Sequence, residues 1–497
     1  MQTTKKQPLT LPALAGMGIF ISVCPLLISG CVLNHQGDKE VSELLGQYER
    51  RRAQDTQQYG SLLRQASAAE TTEPEGKADR LDQEPMLAQL IAEALERNPD
   101  IQAAMEVARS KASVIPQVTA LPDPFLSTKT LPEPTRTAEG DNFFILSFKQ
   151  TLPVPEKLDR RGRIALEETR MAMDQLEQTR LRVIADVKRS YFSLFAIDKT
   201  IGITEENKAL LRDLIEVARG QFQVGRRDQA DVLRAQVEFS NLETKLVQLA
   251  QQRTTVVSLL NALLDRHHTT IIETPPDYDV RRMDARLDQL LSRALIENPE
   301  LRRSKRQIAR DEQAVRLARL AYWPDFTLGF EWMQMDPRGA FKPRINPMTG
   351  VRPASPQISE DGSDNWAITF GFNVPLWFER IEAGVREAEQ KLSASRREQV
   401  SVQNTVTFKV QDALARVRSL RDIANLYATS IVPQAQQAYQ VSRAGYIADT
   451  SDFQYVIDNW QKWLFFRVEY YRTLGDLERS VADLEQAVGI SIVEAER

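Results

Sequence analysis

The chain is 497 residues long, with 42% hydrophobic and 27% charged residues and a formal net charge of -4. Length alone suggests roughly three domains, and Lys and Arg are spread along the chain without a basic stripe, which argues against a nucleic-acid partner. The two cysteines, Cys24 and Cys31, both lie near the start, so the rest of the chain has neither an internal disulfide nor a thiolate metal site.

Residues 1–30 read as an export signal. Lys5 and Lys6 give a positive start, Leu9 to Ile28 give an apolar stretch, and Ile28-Ser29-Gly30-Cys31 ends it with small residues. Pro12 and Pro25 interrupt the stretch and argue against a spanning helix. Ile28 to Cys31 looks like a bacterial lipobox, which implies cleavage before Cys31 and acylation of its thiol. Val32 follows, not an inner-membrane Asp, which favours the outer membrane. No later segment reaches the roughly 20 apolar residues of a membrane helix, so any crossing must use strands. Residues 31–85 are polar and read as a lipidated tether, partly helical near 39–69.

From residue 86 the chain repeats. Leu87 to Pro99 and Leu287 to Pro299 align without a gap, sharing the pattern Leu-x-Gln-Leu-x-x-x-Ala-Leu-x-x-Asn-Pro. Pro124 pairs with Pro324, Leu152-Pro153 with Val374-Pro375, and Gly162 with Gly384. Phe222, Asp228 and Val232 pair with Tyr446, Asp452 and Val456. We therefore expect a first repeat over 86–275, a second over 276–490, and a tail over 491–497. Each repeat carries a helix, two strands and long helices.

The helix that starts near Leu87 must kink or restart at Asn98-Pro99. Strands are predicted at about 124–131, 142–152, 325–334 and 366–374. The clearest alternation is Trp366, Ile368, Phe370, Phe372 and Val374 against Ala367, Thr369, Gly371 and Asn373. A loop rich in Pro, Gly, Ser and Asp fills 336–364. The stretch 157–200 would span about 65 Å as one helix. Val232, Ala235, Phe239, Leu242, Leu246, Leu249, Val256, Leu260 and Leu263 form a heptad seam that only Arg253 breaks.

Such strands suit a lipid-facing barrel or a soluble sheet with one wet face. Four strands cannot close a barrel, since the smallest usual ones have about eight. Two chains would give a filled eight-stranded barrel, and three would give a twelve-stranded one with room for water. Gly329, Ala367, Thr369 and Gly371 are small enough for an open lumen.

Over about 86–490 this arrangement resembles the TolC family of outer-membrane efflux proteins. The doubled Asn-Pro segments, the two residue-Pro pairs before long helices, Ile431-Val432-Pro433 at a helix start, and the two hairpin tips carry the resemblance. It implies an α+β membrane protein: a homotrimer whose twelve-stranded outer-membrane β-barrel, four strands per chain, continues into a long periplasmic α-helical coiled-coil tunnel. It implies a passive exit duct for drugs, toxic compounds or heavy-metal cations, partnered by a periplasmic adaptor (membrane fusion) protein, an inner-membrane resistance-nodulation-division pump and outer-membrane lipid.

The resemblance places the adaptor contacts at the periplasmic tips, around Phe222, Val224, Gly225, Tyr446 and Asp449. Gly225 suits a turn that needs positive φ, and Asp449 stands where the second turn often has Gly. Asp452 and Asp458 are candidates for an acidic ring at the aperture. Asp452 also suits a helix N-cap and Asp458 a solvated face, while Asp228 and Asp231 suit caps of the first-repeat helix.

Two other classes compete. An enzyme would need a site, yet the histidines are only His35, His267 and His268, and no phosphate loop or nucleophile elbow occurs. No catalytic residue, cofactor or metal site is therefore expected. A coiled-coil structural lipoprotein would explain the lipobox and heptads, but not the alternating strands or the duplication.

Overall fold

The computed structural model describes Glu43, Gly46, Arg50 and residues 85–137, 140–275, 286–337, 348–351 and 362–491. Cys31, the signal segment, nearly all of the tether and most of the 336–364 loop lie outside the described residues. The chain divides into two units.

The first unit holds Lys111–Glu168 and Ile308–Ala394. Its strands are β1 (Phe125–Arg136), β2 (Asp141–Leu152), β3 (Phe326–Asp336) and β4 (Asn365–Phe372). They form one antiparallel sheet in chain order, β1-β2-β3-β4, that leaves β1 and β4 as edges. Register converts the alternation into two faces. Leu126, Phe148, Phe330 and Ile368 stand in one cross-strand row, and Leu152, Phe326 and Phe372 stand in another on the same face. Ser147, Glu331 and Ala367 form a row on the opposite face, as do Lys149, Gly329 and Thr369.

The apolar face is uncovered in one chain: Trp366, Ile368 and Phe370 are each about two-thirds exposed. On the polar face Ser147 Oγ donates to Glu331 Oε1 at 3.1 Å, and Lys149 Nζ lies 3.9 Å from the same oxygen. The Lys149 stem crosses Gly329, where a Cβ would lie 3.6 Å from it and 3.3 Å from Thr369.

At the foot of the sheet, Lys157 Nζ donates to Trp323 O and to Asp325 Oδ1, both at 2.8 Å. Asp325 Oδ1 also accepts from Val154 N at 3.2 Å. The residue-Pro turn after β2 is thereby tied to the start of β3. Gly162 is needed for close approach, since a Cβ there would meet Thr119 Cγ2 at 2.6 Å. Its repeat partner Gly384 has open space.

The second unit holds Leu45–Ser110, Thr169–Gln307 and Ser395–Arg497. Wholly or partly within it lie α1 (Pro85–Arg97), α2 (Pro99–Ala112), α4 (Pro155–Gln223), α5 (Gln229–Leu263), α6 (Leu287–Glu297), α7 (Pro299–Arg319), α8 (Phe378–Leu426), α9 (Val432–Ile447) and α10 (Phe453–Val488). The short α3 (Val114–Thr119) belongs to the first unit. The 69-residue α4 is unbroken well beyond the stretch predicted as helix. In the second repeat a π turn, Tyr427–Ile431, joins α8 to α9 without an intervening loop. α9 starts at Val432 with Pro433 in its first turn, where the sequence places a helix start.

The repeated Asn-Pro has one physical explanation in both copies. Asn98 Oδ1 accepts from Asp100 N and Ile101 N, capping α2, while its Nδ2 donates to Leu263 O at 2.8 Å. Asn298 caps α7 through Glu300 N and Leu301 N, and donates to Ala487 O at 2.8 Å. Each Asn satisfies orphan donors at one helix start and an orphan carbonyl at the end of its own repeat's last helix. A core surrounds each tie: Leu90, Ile91, Leu176 and Leu260 near the first, Leu290, Leu301, Val410 and Leu484 near the second.

The α5 seam packs as its spacing predicts, with Val232, Ala235, Leu242, Leu249 and Leu260 buried. Arg253 breaks the stripe but is answered by Asp198, 2.7 Å from its Nε. No described helix is long and apolar enough to cross a membrane.

Candidate functional site at the hairpin tips

Each repeat ends its long helix in the same turn. Val224 N, Gly225 N and Arg226 N donate to Gly220 O, Phe222 O and Gln221 O. Ala448 N, Asp449 N and Thr450 N donate to Ala444 O, Tyr446 O and Gly445 O. All three bonds recur at an offset of 224 residues. This is a helix-ending Schellman turn, whose C′ residue must be left-handed. Gly225 has φ 72° and Asp449 φ 62°. Asp is among the few side chains that occupy this region readily, so the second tip keeps the turn and gains a charge.

That charge is used. Arg227, just past the first turn, reaches across to the second hairpin. Its Nη2 lies 2.9 Å from Asp449 Oδ1 and donates to Ser451 O at 2.9 Å, and its Nη1 donates to Asp452 Oδ1 at 3.1 Å. The guanidinium also sits 5.2 Å from the Tyr446 ring centre. Tyr446 is fully buried, edge-on to Phe453 at 5.1 Å. Its hydroxyl donates to Asp231 Oδ2 at 3.3 Å. Burial, followed by the negative charge of Asp231, pushes the Tyr446 hydroxyl up to about 12. Burial also raises the Asp231 carboxyl, against the opposing pull of the Tyr446 hydrogen bond.

The predicted site residues therefore separate by role. Asp452 occupies the N-cap position of α10, but its side chain makes no cap bond and turns to Arg227. Asp228 does cap α5, through Ala230 N, whereas Asp231 is drawn to Tyr446. Asp458 accepts from Gln454 Nε2 at 2.7 Å, and Gln454 Oε1 in turn accepts from Arg234 at 2.8 Å. Phe222 and Val224 are exposed, at 44% and 67%. Tyr446 offers no surface, so it braces the tip from within. Arg227 and Arg234 were missed, because their partners lie more than 200 residues away in sequence. The only available signal was a basic residue in one tip facing an acidic one in the other. Among the described residues no cluster of His, Cys, Asp or Glu suits a metal ion.

Sequence and structural relatives give this architecture its context. Residues 90–265 and 290–489 match the family model described as outer membrane efflux protein. The cobalt-zinc-cadmium resistance protein CzcC of Cupriavidus metallidurans is 22% identical over 396 residues, covering 79% of this chain and 87% of that protein. The outer-membrane protein VceC of Vibrio cholerae superposes with a TM-score of 0.66 at 17% identity, over 82% of this chain and 96% of that one. The MtrE outer-membrane channel of Neisseria gonorrhoeae, solved in its open state, gives 0.64 at 15% identity, over 82% and 90%. The duplicated helix-and-strand unit, matched in both copies, belongs to the outer membrane efflux protein family, and the chain is a TolC-type channel subunit of the outer membrane.

Proposed function

We propose that three copies of this chain close a twelve-stranded barrel and a helical duct, through which an inner-membrane pump and a periplasmic adaptor expel toxic solutes. The observation that carries this is the sheet: one face apolar and uncovered, the other polar, and both edges unpaired. In lipid an unpaired edge is untenable, so β4 of one copy must meet β1 of the next. Small inward residues leave the lumen open to water. Trp323 and Trp377, exposed at the foot of the sheet, suit the aromatic girdle of a membrane boundary. An acyl chain on Cys31 would add a second hold on the same membrane.

The tips form the periplasmic mouth in this reading. Arg227 clamps the first hairpin to the second and holds the mouth narrow. Asp458 faces the aperture as an acidic group. Phe222 and Val224 offer the adaptor an exposed apolar contact. The duct performs no chemistry; solute selection belongs to the pump. Divalent heavy-metal cations are the favoured cargo, supported by the metal-resistance name that the CzcC relative carries.

The test joins biochemistry to physiology. The purified protein is expected to run as a heat-modifiable trimer and to conduct in a planar bilayer. A deletion strain is expected to become sensitive to cobalt, zinc or cadmium. A delipidated monomer that does not conduct would end the channel reading. Unchanged metal tolerance with new drug sensitivity would overturn the cargo but keep the duct.

A further inference from the structure

The sheet sorts its charges as well as its apolar side chains. In the paired rows the charged residues Lys129, Lys149 and Glu331 all stand on the polar face, and the apolar face carries none. The outermost row, Arg136, Asp141 and Asp336, lies about 10 Å further along the strands than Lys129. Lys149 and Glu331 answer each other, with Lys149 Nζ 3.9 Å from Glu331 Oε1. Lys129 is left over. It is exposed, and its ammonium has no partner among the described residues.

Position explains why nothing neutralises it. Lys129 lies in the row Lys129, Ile145, Met333 and Asn365, which holds no acid. Glu331 is two strands and two residues away, about 12 Å between backbones, and it is already engaged by Ser147 and Lys149. Asp364, next to Asn365, accepts from Met335 N at 3.2 Å. Because β1 is an edge strand, closing the barrel brings β4 of the next copy beside Lys129. The polar-face residues of β4 are Asn365, Ala367, Thr369 and Gly371, none of them charged. Assembly therefore adds no counter-charge from that face of the incoming strand.

We propose that Lys129 of three copies forms a cationic ring inside the barrel, a selectivity ring that favours anions and opposes cations, divalent ones most. The inference rests on reading the sheet as one third of a twelve-stranded barrel with its polar face inward. Twelve strands about 4.8 Å apart and tilted by about 40° give a backbone radius of about 12 Å. A lysine arm of about 6 Å then leaves each ammonium about 6 Å from the axis, inside the Debye length of about 8 Å at physiological salt. An ion on the axis therefore feels all three charges. Unit charges at that distance, screened over that length, change the permeability of cations against anions about ten-fold, and the interaction energy doubles for a divalent cation. The ring stands at the outer-membrane end of a duct whose periplasmic mouth carries Asp458. It slows cations equally in both directions. Outward flow is driven by the pump, whereas cations returning from the medium have only their own gradient.

The full-length trimer is reconstituted in planar bilayers, and its reversal potential is read across a KCl gradient. Lys129→Gln is expected to raise potassium-over-chloride permeability about ten-fold. Lys129→Glu should raise it further, and Lys129→Arg should keep the wild-type value. The shift should shrink toward 1 M salt, where the Debye length is about 3 Å. The mouth is the same in every variant, so it cannot supply the difference. Lys129→Cys tests which way the side chain faces in the assembled channel. A water-soluble methanethiosulfonate bearing an ammonium group should restore wild-type selectivity, and one bearing a sulfonate should drive it toward cations. Thr128→Cys, one residue away on the apolar face, should react with neither. Reversal potentials equal to wild type in Lys129→Gln and Lys129→Glu overturn the ring, as does Lys129→Cys unchanged by either reagent. If Lys129→Gln and Lys129→Glu give no heat-modifiable trimer, the labelling of Lys129→Cys decides alone. A wild-type protein that never conducts refutes the duct itself, and the ring with it.

Discussion

Replacing Arg227 by Ala tests how the mouth is held shut. The magnitude follows from the geometry of the clamp. The Arg227 side chain is only 18% exposed, but its partners Asp449 and Asp452 are 53% and 73% exposed. Ion pairs that open to solvent are worth about 0–1 kcal/mol each. The bond to Ser451 O is shielded better and contributes about 1 kcal/mol. The guanidinium over Tyr446 contributes about 0.5–1 kcal/mol. A hold of about 2 kcal/mol per chain is a factor of about 30 in the balance between clamped and released tips. Reconstituted Arg227→Ala is therefore expected to conduct far more than wild type at low salt. Exposed pairs are screened as ionic strength rises, so the gap should narrow between about 0.05 and 1 M salt. Arg227→Lys keeps one contact but loses the fork and should fall between the two. A variant that assembles as a trimer yet conducts within two-fold of wild type at every salt concentration would refute the clamp.

Four further outcomes follow from the same geometry. Asn98→Ala and Asn298→Ala each remove a cap and strand a buried carbonyl, so each should lower stability by about 2–3 kcal/mol in denaturant titrations, and the double variant should be additive because no partner is shared. Phe370→Lys places a charge on the apolar face at about 2–4 kcal/mol per copy and should prevent membrane assembly, whereas Thr369→Lys, one residue away on the other face, should assemble and alter only conductance. Lys157→Met strands the partly covered Asp325 carboxylate, so the yield of heat-modifiable trimer should drop sharply. The Tyr446 hydroxyl is raised from its ordinary value of about 10 to about 12; its stabilisation is complete below the lower value and is lost as pH rises through the upper one, so the stability gap between wild type and Tyr446→Phe should shrink as pH climbs across that window.

The features legible in sequence were those with a local cause. Three of the four strands announced themselves because side chains alternate with a period of two, whereas β1 alternates weakly and is fixed by its register with β2. Gly225 and Asp449 were legible as left-handed turn residues because few others fit there. The Asn-Pro pairs were visible as a repeat, but their meaning was not: the carbonyl that each Asn holds lies 165 or 189 residues away. Asp452 shows the limit most clearly. Its position predicts a cap, its backbone takes the cap conformation, and its side chain is won by Arg227 from the other repeat. A charged partner within reach outcompetes a backbone N–H that water can also satisfy. The π turn left no pattern of its own; Pro433 marks only the helix start that follows it.

What duplication conserved, and what it released, argues for division of labour between the hairpins. The Asn ties and the helix-ending turns recur bond for bond, and these are the contacts that set the repeat's frame. Differences at the tips leave the helix-ending turns intact. Gly225 aligns with Asp449, which adds a charge without changing the turn. Ala209 aligns with Pro433, which follows the π turn Tyr427–Ile431. Arg227 has no basic counterpart at its repeat position, which is Ser451. A symmetric pair of tips, both Gly and both Arg, would repel. The clamp therefore needs the copies to differ in charge. Exchanging the tips tests this directly. Placing Gly at Asp449 and Asp at Gly225 keeps both left-handed turns, yet it removes one partner of Arg227 and sets an acid two residues before it on its own hairpin. Thermal stability should stay near wild type while conductance rises. If conductance is unchanged, the asymmetry of charge is not what holds the mouth.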